Sequence, residues 1–216
     1  MSAKDVVHHL NELLVRAGHA PLDGPTGERF AEYLSLFMRW NTRLNLSSVR
    51  DEDGILTRHF VESIACARAL PVGISTLLDY GSGAGLPGIP IALCRPEIAV
   101  TLAESQGKKT AFLREAIRTL GLAAEVHAGR AELLKATFDC VALRAVDRMA
   151  QAVKSAVSLV SGSGWLVLMT TRADLDGLQA AAGAQFSWRE ALSLPGSQDR
   201  VLVLGARNVS SPTSPG

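Results

Sequence analysis

The chain has 216 residues, 47% of them hydrophobic and 20% charged, with 19 Gly and 9 Pro. That balance suits one packed domain, or one with an appendage, and excludes a disordered, collagenous or mucin-like chain. Lys and Arg total 22 against 21 Asp and Glu, a net charge of +1, so any nucleic-acid surface must be a local patch. Cys66, Cys94 and Cys140 form no C-x-x-C pair and read as reduced core thiols of a cytosolic protein. The uncharged stretch Ala69 to Leu78 is too short to span a bilayer and is broken by Pro71 and Gly73. Asp5, His8, His9 and Glu12 stand where a secretory leader would be apolar, so a cytoplasmic location without membrane contact is expected.

Residues 1–70 read as a helical appendage with helices at 3–17, 26–44 and 52–70. In the second helix, Phe30, Tyr33, Leu34, Phe37, Trp40 or Asn41, and Leu44 recur at three- and four-residue steps, one face that needs a partner. Ile55, Leu56, His59, Phe60, Ser63, Ile64, Ala67 and Leu70 repeat the pattern before Pro71 stops the third. From residue 71 to 207 short apolar runs alternate with amphipathic helices. The runs are Ile74 to Tyr80, Ile98 to Glu104, Ala124 to Ala128, Phe138 to Arg144 and Gly164 to Thr170, with helices at 86–94, 107–120, 147–160 and 174–183. Five strands with crossover helices predict a parallel sheet in an α/β fold. Gln185 to Leu194 and Arg200 to Arg207 are joined by only five residues, which predicts an antiparallel pair. A Rossmann-like parallel sheet closed by a C-terminal hairpin resembles the class I S-adenosylmethionine-dependent methyltransferases, whereas nicotinamide-binding domains usually keep all strands parallel. The Ser/Pro-rich end, 208–216, reads as a disordered tail.

The most informative segment runs from Leu77 to Gly88, Leu-Leu-Asp-Tyr-Gly-Ser-Gly-Ala-Gly-Leu-Pro-Gly. It follows an apolar strand and opens a helix, and Gly81, Gly83 and Gly85 let a ligand approach main-chain N–H groups. Pro87 fits the first helical turn. Gly83 to Gly88 also satisfies G-x-G-x-x-G, so a nicotinamide-dependent oxidoreductase is the competing reading. Glu104 ends the next strand about twenty residues on, where an acid can hold both hydroxyls of a ribose. Asp79 can brace the glycine turn or meet the ligand, and both roles stay open. Ala131 and Glu132, after the third strand, can lie beside an adenine or simply open a helix. Arg144 leaves an apolar strand at the sheet's carboxyl edge and needs an anionic partner, a ligand or a neighbouring acid.

Taken in order, Trp40-Asn41, Asn45 to Asp51, Arg58-His59-Phe60 with Ser63, Gly81 to Pro90, Glu104-Ser105 with Lys108-Lys109 and Phe112-Leu113, Arg130 to Glu132 and Arg144-Ala145 resemble the RsmG (GidB) methyltransferases over about residues 30 to 148. The resemblance implies transfer of a methyl group from S-adenosylmethionine to N7 of guanine 527 in the 530 loop of 16S ribosomal RNA, naked or in an assembled small-subunit particle. It places cofactor contacts on Gly81, Leu86, Ala131, Glu132 and Arg144, with Glu104 at the ribose. Glu62 stands where the family usually has Asp, and Arg172 follows the fifth strand where relatives generally carry a Lys-Gly turn. That second departure motivates the remaining alternative, an RNA-binding module without catalysis.

Guanine N7 carries a lone pair and no proton, so neither a catalytic base nor a metal is assigned, and positioning is the main task. His59, on the apolar face of its helix, reads as a bracing residue. Residues 104 to 154 hold nine basic side chains against six acidic ones, an excess of three. Lys108, Lys109, Arg148 and Arg172, with Arg39, Arg43 and Arg50 in the appendage, are the candidate RNA contacts. Trp40 reads as packing rather than base stacking. A monomer is the default.

Overall fold

A computed structural model describes residues 1–208. Four helical pieces come first: α1 (Ala3–Arg16), α2 (Gly24–Leu44), α3 (Glu52–Ile55) and α4 (Glu62–Ala69). Ser2 and Asp5 form a reciprocal capping box on α1. Asp23 accepts the Thr26 N–H at the start of α2, two residues before the expected onset, and Asn45 ends the helix in the left-handed region. The expected single helix over 52–70 is interrupted by a π-helical stretch, Leu56–Val61. It widens where Arg144 inserts its guanidinium and donates to the Arg58 carbonyl at 2.8 Å.

The sheet contains β1 (Thr76–Tyr80), β2 (Ala99–Glu104), β3 (Ala124–Ala128), β4 (Phe138–Arg144), β5 (Val160–Thr171), β6 (Phe186–Trp188), β7 (Leu192–Ser193) and β8 (Arg200–Arg207). Its order is β3-β2-β1-β4-β5-β8-β6, with β7 also paired to β8. The first five strands are mutually parallel and β8 runs antiparallel to β5 and β6, as expected. Two strand details differ from expectation. β5 begins at Val160, because Phe138 pairs with Val160 and Cys140 with Trp165, a bulge that absorbs the glycine-containing stretch between. The segment 185–194 is two short strands, since four residue steps from Trp188 to Leu192 face three from Gly205 to Leu202 and the ladder slips.

Helices α5 (Gly88–Cys94) and α6 (Gly107–Leu120) cover one face with α1 to α4, while α7 (Met149–Ala156) and α8 (Arg172–Ala182) cover the other. The faces alternate along each strand: Leu77, Leu102 and Ala142 point to the first, Leu78, Ala103 and Val141 to the second. The apolar core of the first face runs unbroken from Leu10 and Phe30 to Leu204. Because β2 and β3 lie on one side of β1 and β4 on the other, right-handed crossovers need helices on opposite faces, and the loops after β1 and β4 part to leave a crevice. Asn208 is tied down by its N–H to the Gln185 carbonyl at 2.8 Å. The rest of the expected tail, 209–216, lies outside the described residues. Among those described, no helix is long and apolar enough to cross a membrane.

Candidate active site

The crevice is a cavity of about 610 Å³ at the carboxyl ends of β1, β2 and β4. Its first wall is the turn from Gly81 to Gly88. Ser82 N–H donates to the Ala103 carbonyl at 2.9 Å and Gly85 N–H to the Ser82 carbonyl at 2.7 Å, and the buried Tyr33 hydroxyl of α2 donates to the Ala84 carbonyl at 2.5 Å. Gly83 has φ +58°, and a Cβ there would find only the Gly81 carbonyl, 3.9 Å away. The turn is therefore bare on its cavity side, where a ligand can lie against the main chain. Gly85 serves packing instead: a Cβ would collide with Ile89 of α5, and the residue does not line the cavity. Pro87 caps α5 rather than occupying its first turn, after a cis Leu86–Pro87 peptide.

Glu104 and Asp79, both buried, divide the two acidic tasks. Glu104 lines the cavity, its Oε2 accepting the Gly83 N–H at 3.0 Å and its Oε1 the Gln106 N–H at 2.7 Å. Each oxygen keeps a further lone pair, which suits a sugar diol. Asp79 is 1% exposed, lies behind the turn and accepts the Gly88 N–H at 3.0 Å. It does not line the cavity. Burial raises its carboxyl to about 7. Ala131 and Glu132, in a 3-10 turn after β3, line the cavity. Tyr80 donates to Glu132 at 2.9 Å, and burial followed by this carboxylate raises the phenol to about 12. Gly81 and Leu86 also line the cavity.

Arg144 lines the cavity with its guanidinium engaged by an acid of the protein, the second of the two anionic partners the sequence left open. The guanidinium donates to the Arg58 carbonyl, to Ser63 Oγ at 3.1 Å and to Glu62 Oε2 at 3.0 Å. Glu62, 0% exposed, also pairs with Arg200 of β8. Burial raises the Glu62 carboxyl and lowers Arg144, each partly offset by the pairing. His59 bridges onward, with Nδ1 3.0 Å from Arg144 and Nε2 2.6 Å from Ser47 Oγ. Burial, then Arg144 and Arg58, lowers its imidazole to about 3, so it is neutral, a bracing residue as expected. The sequence reading gave no site role to Glu62, Arg200, Ser47 or Tyr33, although Glu62, Ser47 and Tyr33 stand within the segments it quoted. The one available signal was Glu62, a carboxylate inside the run Phe60-Val61-Glu62-Ser63-Ile64, which demands a buried cation.

The basic candidates do not converge. Lys109 and Arg148 line the cavity, and Lys108 is exposed beside Lys109 on α6. Arg39 and Arg43 border a separate shallow cleft with Trp40 and Glu115, where Arg39 pairs with Glu115 and Trp40 packs on Phe112 with its indole N–H on the same carboxylate. Arg50 is occupied with the Asn41 carbonyl and Asn45. Arg172, away from the cavity, donates to Ser193 at 2.7 Å.

A parallel sheet ending in an antiparallel β8, with a glycine turn and an acid after adjacent strands, defines a class I S-adenosylmethionine-dependent methyltransferase. The fold is similar to those of a methyltransferase from Pyrococcus furiosus (TM-score 0.59, 14% identity, 84% of this chain and 98% of that one) and a SAM-dependent methyltransferase from Aquifex aeolicus (TM-score 0.56, 13% identity, 71% and 93%). Within that class, residues 26–202 match the model of the GidB family, rRNA small subunit methyltransferase G, and the chain belongs to this family. It is 37% identical over 206 residues to ribosomal RNA small subunit methyltransferase G of Roseiflexus sp. (strain RS-1), covering 89% of this chain and 88% of that protein. With the protein of the same name from Xanthomonas campestris pv. campestris (strain B100) it shares 42% over 151 residues, 68% and 70% of the two. Membership leaves the nicotinamide reading of the glycine turn without support.

Proposed function

We propose that this protein transfers the methyl group of S-adenosylmethionine to N7 of a guanine in 16S ribosomal RNA, at position 527 in the 530 loop. The observation that carries the reading is the bare turn at Gly83, with the Glu104 carboxylate holding its N–H from the next strand, inside a chain of the rRNA small subunit methyltransferase G family. Gly81, Gly83, Leu86, Glu104, Ala131 and Glu132 would hold the cofactor. When bound, S-adenosylmethionine supplies an electrophilic methyl group on a sulfonium.

The protein's own work is positioning. N7 has no proton to remove, so no side chain need act as base, and holding the two reactants in line contributes on the order of 7–11 kcal/mol in favourable cases. Asp79 and Tyr33 fix the turn, while Glu62, Arg144 and His59 fix the facing loop, so both walls are set before substrate arrives. Lys109 and Arg148 at the cavity are placed to meet phosphates, with Lys108 beside them. Arg39, Arg50 and Arg172, engaged by protein partners, are weaker candidates, and Arg43 lies with Arg39 at the separate cleft. So small a basic surplus favours a substrate recognised by its folded shape within an assembled particle. The protein would work in the cytoplasm, as a monomer. Incubation with labelled S-adenosylmethionine and unmethylated small-subunit particles should label one guanine at N7; label confined to protein or small molecules would overturn the reading.

A further inference from the structure

Leu46 to Ser48, Arg58 and His59 line the cavity opposite the glycine turn, and their hydrogen bonds constrain where the protons lie. Arg144 Nη2 stands 3.0 Å from His59 Nδ1. A guanidinium only donates, and although the two Nη2 protons also serve the Arg58 carbonyl at 2.8 Å and Glu62 Oε2 at 3.0 Å, the tautomer that avoids two N–H groups head to head leaves Nδ1 bare. The ring's one proton is then on Nε2 and is donated to Ser47 Oγ at 2.6 Å. Val49 N–H donates to the same oxygen at 3.0 Å. A serine hydroxyl has two lone pairs and one proton. Both lone pairs are occupied, and among the described residues Oγ has no further partner. In that tautomer its proton is left as a donor on a residue that lines the cavity. The loop cannot easily turn away, because the buried Asn41 side chain accepts the Ser47 N–H at 2.9 Å and donates to the Val49 carbonyl at 2.8 Å.

Such a donor favours an acceptor and rejects another donor. On the Hoogsteen edge guanine places the O6 acceptor beside N7, where adenine carries an amino group. We propose that the Ser47 hydroxyl donates to O6 of the target guanine, selecting guanine over adenine while leaving the N7 lone pair free. This inference rests on the guanine-N7 reading above. Ser47 would set specificity, with His59 and Arg144 as positioning residues acting through it.

The test compares small-subunit particles carrying guanine, inosine (O6 kept) or 2-aminopurine (O6 absent, N7 kept) at the accepting position. The intact protein should prefer guanine and inosine to 2-aminopurine by about tenfold in kcat/KM, the upper end for one neutral hydrogen bond. Ser47→Ala should lower guanine to the 2-aminopurine level and leave 2-aminopurine unchanged, while Ser47→Thr, which keeps the hydroxyl, retains the preference. Equilibrium binding of the same particles to protein saturated with S-adenosylhomocysteine should follow the same pattern. Equal losses on guanine and 2-aminopurine would overturn the proposal, as a bracing or phosphate-contact role predicts, and so would an intact protein indifferent to O6. If Ser47→Ala does not fold, the intact protein's preference and Ser47→Thr still decide. Failure of the intact protein to label any guanine would remove the guanine-N7 reading itself, a different result from labelling without O6 preference.

Discussion

The two walls of the cavity are built on different principles. The glycine wall is local: residues 79 to 88 shape themselves through main-chain N–H groups and glycines, with Glu104 from the adjacent strand. The facing wall is assembled from side chains far apart in sequence, Ser47, His59, Glu62, Arg144 and Arg200, joined through a buried carboxylate. A wall of backbone loses its function when something is added to it. A wall of paired charges fails when something is taken away.

Removal of Glu62 should give the largest effect. Glu62→Ala leaves Arg144 buried beside the Arg58 carbonyl with no counter-charge, and a broken buried pair costs about 3–5 kcal/mol. Urea unfolding should show that loss as a lowered midpoint with an unchanged slope. A midpoint equal to that of the intact protein would break the comparison, since the facing wall would then not depend on its ion pairs. Gly83→Val is the complementary addition. Its isopropyl group enters open cavity space, so calorimetric affinity for S-adenosylhomocysteine should fall at least about a hundredfold, while holding Val at φ +58° should cost about 1–3 kcal/mol of stability. Retained affinity would mean that this turn is not the cofactor wall.

The same contrast explains what was legible in the sequence. Strand, glycine turn and acid lie within thirty residues, so their spacing revealed the sheet's carboxyl edge and the place of Glu104. The closing hairpin was legible because only five residues join its arms, although the slip between Trp188 and Leu192 was not. Arg144 was recognised as needing an anion, but nothing local distinguishes a ligand from Glu62, 82 residues away. Nor does periodicity reveal a π-helical turn, which answers to a guanidinium arriving from another strand. Ser47 stands in a short polar loop, and its importance comes entirely from two donors that folding brings to it.

Titration can separate the walls, because His59 of one and Asp79 of the other are shifted in opposite senses. His59 falls from 6.5 to about 3 on folding, so below 6.5 the unfolded chain takes the proton and stability drops as pH falls. Asp79 rises from 3.8 to about 7, so the folded state keeps its proton and stability drops as pH rises through that window. Between 3.8 and 6.5 the two slopes oppose each other and the intact protein should show little net dependence from this pair. Relative to the intact protein, Asp79→Asn should tilt the profile towards stability rising with pH, by up to about 1.4 kcal/mol per unit. His59→Gln should uncover the opposite slope. The charged groups facing His59 are Arg58, Arg144, Arg200 and Glu62; burial also raises the Glu62 carboxyl, which adds a slope of the same sign as that of Asp79 and is present in both variants, so each variant is read as a difference from the intact protein. Identical profiles for the two variants would mean that the walls do not titrate independently.

The smallest effect belongs to the bond that ties the helical layer to the glycine wall. Tyr33 is buried, its ring stacked on Phe60 with centroids 4.9 Å apart, and burial holds its phenol well above 10, so it remains a donor to the Ala84 carbonyl. Tyr33→Phe keeps the stacking and removes only the hydroxyl, which should cost about 1 kcal/mol. Affinity for S-adenosylhomocysteine should fall a few-fold along with it, because a turn freed at Ala84 must be ordered again on binding. Lost stability with unaltered affinity would show that the turn takes its shape from β1 and β2 alone. The helices would then position only the facing wall, and the two halves of the cavity would be mechanically separate.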